Sequence, residues 1–204
     1  MKRFVRLRKI ISLCLAAFVL ALAAGESAYA SELPYDSYNY DYREYIHFTP
    51  APYVPAGTVK GTDLTWNGEP IGRFVTPQDL CKDANGSIYI ADTGNNRIVV
   101  LDRNMTKVLN VITTFDNNGT EDSFKQPYGV AVSEKNLIYV ADSQNNRVVV
   151  LSQDGKLVQI VANPQSESLE EGYVFVPLKV VVDYADRVYV IAQNMFEGIM
   201  VFES

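Results

Sequence analysis

The chain has 204 residues, 48% of them hydrophobic and 21% charged, which is globular composition at a length for one or two domains. Eighteen basic residues face 24 acidic ones; without residues 1–30 the balance is 13 against 23, a net charge near −10. Such a surface repels polyanions, so neither a nucleic-acid partner nor an anionic lipid surface is expected.

Residues 1–30 read as a secretory signal peptide. Lys2, Arg3, Arg6, Arg8 and Lys9 make a basic start, Ile10 to Ala24 form an apolar stretch of fifteen residues, and Ala28-Tyr29-Ala30 is a small-x-small cleavage pattern. An uncleaved anchor is the competing reading, but a span needs about 20 residues. Leu13 before Cys14 argues against a lipidated cysteine. The mature part has no apolar run long enough to span a bilayer, so a secreted or extracytoplasmic location is expected.

Residues 31–56 form a tyrosine- and proline-rich linker. "SELPYDSYNYDYREYIHFTPAPYVP", residues 31–55, holds six of the 13 tyrosines and four of the nine prolines, with little apolar periodicity. An aromatic platform for a sugar or peptide is the alternative there. "GTVKGTDLTWNGEPIGRF", residues 57–74, can add a strand to the strand-rich region C-terminal to it.

From residue 74 the chain repeats itself. "IYIADTGNNRIVVLD", residues 88–102, returns as "IYVADSQNNRVVVLS", residues 138–152. Pro77, Pro127 and Pro177 are fifty apart, as are Tyr89, Tyr139 and Tyr189. Each unit reads as short strands rich in Val, Ile and Tyr between Asn, Gly, Asp and Ser turns. Runs such as "IVVL" are apolar at consecutive positions, so both sheet faces need cover. No helical period separates the strands, so neighbouring sheets must supply that cover.

The recurring polar centre fits a hairpin reversal. Asn tolerates left-handed backbone, and Asp and Asn side chains bond turn amides. Asp92 and Arg97, like Asp142 and Arg147, flank the reversal, where they can pair across it or link to the next sheet. Together the prolines and the two fifteen-residue stretches resemble NHL repeats, found in six-bladed propellers. The resemblance implies an all-β fold: a partial six-bladed β-propeller of about three four-stranded antiparallel blades, near 74–114, 124–163 and 175–204, within a propeller region of 57–204. The third unit, "VYVIAQNMFEGIMVFE", departs: Ala192 replaces the aspartate, Met195 and Phe196 the asparagines, and Glu197 the arginine. It should keep its strands, lose the polar turn network and lack a last strand. Three blades cannot close a six-bladed ring. Remaining blades, or a second chain, are needed; truncation within a repeat is the preferred reading. Each uncovered end would present an apolar face to water.

Propeller ligands usually sit on the face formed by the loops joining strand two to three and strand four to the next blade. Here those loops hold Asp92, Asn95, Asn96, Arg97, Asp142, Asn145, Asn146 and Arg147. The long acidic connections 114–126 and 163–175 add Asp116, Glu121, Asp122, Glu167, Glu170 and Glu171. A basic partner for this rim competes with a plain solvated rim. "DNNGTED", residues 116–122, lacks the spacing and terminal Glu of a calcium loop, so no cofactor is expected and calcium is the weaker alternative. Asn85, Asn104 and Asn118 head glycosylation sequons that also read as turns. Cys81 reads as a small core residue rather than a reactive thiol. The inner strands offer Asp79, Lys82, Lys179 and Asp183, too little for a metal or catalytic set, and His47 lies outside the repeats. The expected function is an exported module binding a protein, peptide or cell-envelope glycan through the top-face loops. The alternative is a metal-dependent lactonase-like hydrolase or a lyase whose site is completed by blades not in this sequence.

Overall fold

The computed structural model describes residues 38–48 and 57–203, apart from 163, 166–168, 170, 194, 196 and 197. The signal-peptide reading and the positions Glu167, Glu170, Phe196 and Glu197 lie outside the described residues. The chain divides into two compact units at Thr58/Val59.

In the first unit, β1 (Tyr38–Tyr40) and β2 (Ile46–Phe48) form a hairpin. Alternation puts Tyr38, Tyr40, Ile46 and Phe48 on one face, all exposed. Asp41 closes the turn by accepting the Arg43 and Tyr45 amides at 2.8 and 3.0 Å, which holds its carboxyl below the usual range.

The second unit is built from antiparallel sheets. After a short hairpin of β3 (Thr65–Trp66) and β4 (Glu69–Pro70) comes the first four-stranded sheet: β5 (Asp79–Lys82), β6 (Ile88–Asp92), β7 (Arg97–Leu101) and β8 (Val108–Ile112). A second hairpin, β9 (Thr114–Asn117) and β10 (Thr120–Ser123), precedes the second sheet: β11 (Pro127–Val132), β12 (Ile138–Asp142), β13 (Arg147–Leu151) and β14 (Leu157–Ala162). The third sheet has three strands: β15 (Pro177–Val182), β16 (Val188–Ala192) and β17 (Met200–Phe202). Register repeats with the sequence: Asp92 faces Arg97 across one hairpin, and Asp142 faces Arg147 across the next.

The sheets stack on one another, as consecutive apolar residues require. Tyr89, Ala91, Ile98 and Val100 of the first sheet meet Ile138, Val140, Val149 and Leu151 of the second. Tyr139, Ala141, Val148 and Val150 on its other side meet Val180, Val190, Ala192 and Met200 of the third. The four side chains Val148–Leu151 are at most 2% exposed because alternate members enter different interfaces.

The two ends of the stack differ. The outward side of the first sheet, Val99, Leu101 and Val108, is covered by Leu64, Trp66, Ile71 and Phe74 of the preceding segment. That segment, which the sequence allows to add a strand, forms a two-stranded hairpin over this face. The outward side of the third sheet is open: Val181, Ile191, Ile199 and Val201 are 50–54% exposed. Their counterparts in the second sheet, Ala131, Ala141, Val148 and Val150, are buried. The three sheets do not close into a ring.

Both pre-sheet hairpins turn on Asn-Gly. Asn67 and Gly68 have φ of 52° and 87°, Asn118 and Gly119 of 54° and 88°, the left-handed pair a tight two-residue turn requires. Residues 114–126, read as a long loop, therefore hold an ordered hairpin.

Candidate functional site

The repeated turn is a short 3₁₀ segment, Thr93–Asn95 or Ser143–Asn145, closed by an asparagine in the left-handed region, Asn96 at φ 53° and Asn146 at φ 56°. Beneath it lies a fully buried carboxylate. Asp92 accepts the Val75 amide at 2.7 Å, Asn95 Nδ2 at 2.8 Å and Arg97 Nε at 2.7 Å. Asp142 accepts the Lys125 amide at 2.7 Å, Asn145 Nδ2 at 2.8 Å and Arg147 Nε at 2.8 Å. A buried charge is tolerable only when paired and hydrogen-bonded, and both are.

These residues also tie each sheet to its surroundings. Asn95 and Asn145 donate to the carbonyls of Arg73 and Ser123. Thr93 and Ser143 donate across the sheet interface to the carbonyls of Pro127 and Pro177. Asn96 Oδ1 accepts the Gln126 amide at 2.8 Å. The six side chains of Asp92, Asn95, Arg97, Asp142, Asn145 and Arg147 are thus engaged internally; Gly94, Asn96, Gln144 and Asn146 are exposed at this end.

The two arginines differ in their outer partners. Arg147 makes a two-pronged contact with Asp122, Nη1 at 2.7 Å and Nη2 at 2.9 Å, and lies over the Phe115 ring. Arg147 holds the Asp122 carboxyl at about 2. At the equivalent place in the first four-stranded sheet Arg97 Nη1 donates to the Ile71 carbonyl, and among the described residues its buried Nη2 has no hydrogen-bond partner.

Of the other acidic positions, Asp116 and Glu121 are exposed and opposite each other in the β9–β10 hairpin. The backbone of Asp116 forms an isolated parallel β-bridge with that of Lys156, in the turn between β13 and β14. That turn is at the end of the sheet away from Ser143–Asn146, so this pair is apart from the repeated turns, whereas Asp122 joins them through Arg147. A groove of about 430 Å³ runs beside Asp116, Glu121, Asp154 and Lys156. Glu171 is exposed.

The inner strands carry a contact that crosses three sheets. Asp79, Gly129 and Lys179 occupy the same register position fifty residues apart. Asp79 Oδ1 pairs with Lys179 Nζ, and Oδ2 accepts the Val130 amide at 2.9 Å. Gly129 lies between them without a side chain; a Cβ there would come within 2.9 Å of the Leu178 carbonyl oxygen. Lys82 is exposed, and Asp183 binds Arg187 and the Tyr189 hydroxyl. Cys81 packs against the first core, and burial foremost pushes its thiol up to about 12, which makes it a poor nucleophile. Among the described residues no group of three or more His, Cys, Asp or Glu is placed to hold a metal ion.

In the sequence, the Asp122–Arg147 and Asp79–Lys179 pairs had no local signal. The Asn-Gly dipeptides at 67 and 118 are the signal that could have placed the two hairpins, and their spacing of 51 extends the repeat upstream.

Stacked antiparallel sheets with buried, repeated turn networks define a β-propeller-like repeat fold. The NHL repeat model matches residues 74–101 and 124–151, so the chain carries NHL repeats on that fold. No curated protein matches. Among solved structures the chain is similar to hydrazine synthase of Kuenenia stuttgartiensis (15% identity, TM-score 0.48, 72% of this chain and 36% of that one). It is also similar to the WD40 propeller domain of Doa1 (14%, 0.46, 68% and 42%) and to streptogramin B lyase (13%, 0.42, 82% and 48%). The chain spans less than half the length of each.

Proposed function

We propose that this is an exported NHL-repeat propeller module that binds a protein, peptide or cell-envelope glycan through the end carrying the repeated turns. The observation behind this reading is the division of labour within those turns. Buried Asp92 and Asp142 fix the backbone, which leaves Asn96 and Asn146 exposed in a rigid, repeated geometry. Side-chain amides on a fixed scaffold suit hydroxyl and peptide groups because they can donate and accept at once; Asn96 Oδ1 already accepts the Gln126 amide, so the reading rests chiefly on Asn146. Exposed Thr76, Gln144 and Lys125 add polar groups at the same end. Basic groups of the partner are a second expectation for the acidic positions Asp116, Glu121 and Glu171, of which Asp116 and Glu121 lie apart from the repeated turns. Export rests on the pattern of residues 1–30.

Asn146→Gly keeps the left-handed backbone and removes the amide. Binding on peptide and cell-wall glycan arrays should fall about tenfold in this variant, a loss of about 1.4 kcal/mol. An unchanged binding profile refutes the assignment. Cleavage after Ala30 is checked by the N-terminal sequence of the secreted protein.

A further inference from the structure

Asp83 stands in the turn between β5 and β6, at the opposite end of the first sheet from Asp92 and Arg97. It is 5% exposed, its carboxylate accepts the Ser87 amide at 2.8 Å, and it lies beside the Tyr89 hydroxyl. Among the described residues no cationic side chain pairs with it. A cavity of about 250 Å³ opens there between the first two sheets, lined by Asp83, Asn85, Ser87, Tyr89, Asn110 and Gln153. The other repeats put a cation beside the equivalent tyrosine. In the third sheet Asp183 and Tyr189 are the counterparts of Asp83 and Tyr89. There Arg187 Nε donates to Asp183 at 2.8 Å, the Tyr189 hydroxyl donates to the same oxygen at 3.1 Å, and the guanidinium carbon lies 5.9 Å from the Tyr189 ring centre. In the second sheet Lys135, near Tyr139, pairs with Asp186 of the third. The positions of Arg187 and Lys135 are taken in the first sheet by Ser87 and Asn85, both short and neutral. The first sheet keeps the carboxylate and the tyrosine and lacks the cation.

We propose that this cavity is a binding site for a guanidinium group, the side chain of an arginine on a partner polypeptide. A buried carboxylate is costly until a cation pairs with it, and Asp83 has only an amide and a hydroxyl beside it. A guanidinium carries five N–H donors in one plane and needs acceptors in several directions. The Asp83 carboxylate and the carboxamide oxygens of Asn85 and Gln153 supply them around one cavity. Asn110 also lines the groove of about 430 Å³ beside Asp116, Glu121 and Asp154, so the two are continuous. That acidic continuation favours a polypeptide with further basic residues over a small guanidino compound. The site is at the other end of the sheets from the repeated turns and stands independently of their binding.

The test titrates the full chain with an end-blocked peptide, GGRGG, and with the same peptide carrying neutral citrulline for arginine, followed by amide resonances. The Ser87, Tyr89 and Gln153 resonances should shift saturably with the arginine peptide, and the citrulline peptide should bind at least about tenfold more weakly. Ser87→Arg places a guanidinium where the third sheet has Arg187. The folded variant should bind the arginine peptide at least about tenfold more weakly because its own side chain fills the cavity. Asp83→Asn keeps an acceptor for the Ser87 amide, removes the charge and should weaken binding by a similar factor. Absence of saturable shifts at these residues, equal binding of the citrulline peptide, or undiminished binding by folded Ser87→Arg overturns the proposal. If agmatine binds as tightly as the arginine peptide, the cavity belongs to a free guanidino compound and the polypeptide assignment fails.

Discussion

A carboxylate shut away from water needs other donors, and Asp142 has three of them at 2.7–2.8 Å. Asp142→Ala removes the buried carboxylate partner of Arg147 and strands the Asn145 and Lys125 donors, at a cost of about 3–5 kcal/mol. Asp122→Asn removes only the outer, part-exposed partner and costs about 1–2 kcal/mol. Urea melts of the two variants should separate by that margin. The Asp122 term also depends on pH. Its folded value, about 2, lies below the ordinary 3.8, so the stabilisation is complete above about pH 4 and fades as pH falls through 2. The gap between wild type and Asp122→Asn should close across that window; a gap that persists at low pH contradicts the pairing.

At the scale of elements, the β3–β4 hairpin is a cover rather than an ornament. Leu64 is buried against Val99, Leu101 and Val108, which would otherwise face water. Leu64→Ala should cost about 2–4 kcal/mol and increase binding of a hydrophobic dye, because the collapse of one side chain opens the face beneath. The paired strands themselves were legible: alternation and Asn-rich turns placed β5–β8, β11–β14, β15 and β16 where they are found. The β9–β10 hairpin was not, since its strands "TFDN" and "TEDS" carry one large apolar residue between them. Polar strands of four residues resemble loops until a neighbour, here the Phe115–Phe124 contact and Arg147, gives them a side to bury.

For the whole molecule, the same side chain has opposite value at different places in the stack. Val150 and Val201 hold equivalent positions, opposite Tyr139 and Tyr189. Val150 lies between two sheets at 2% exposure, and Val201 is half exposed on the open end. Val150→Lys should prevent folding, while Val201→Lys should shift stability by less than about 0.5 kcal/mol and raise solubility. Thermal melts and recovery after concentration check both. A large loss from Val201→Lys means that the end face is covered.

The sequence by itself determined the repeat, the strand order within each sheet and the turn chemistry. Each of these is set by neighbours in the chain: side chains alternate along a strand, and Asn96 or Asn146 accepts the left-handed turn wherever the chain reverses. Only the tertiary structure decided what the aspartates bind and which apolar faces are hidden. Asp79 meets Lys179 a hundred residues away, Asp122 rather than Asp116 reaches Arg147, and residues 61–74 shelter one end while the other stays open. Those outcomes depend on how sheets stack in space, and a carboxylate or a valine looks alike in sequence whether its partner is present or absent.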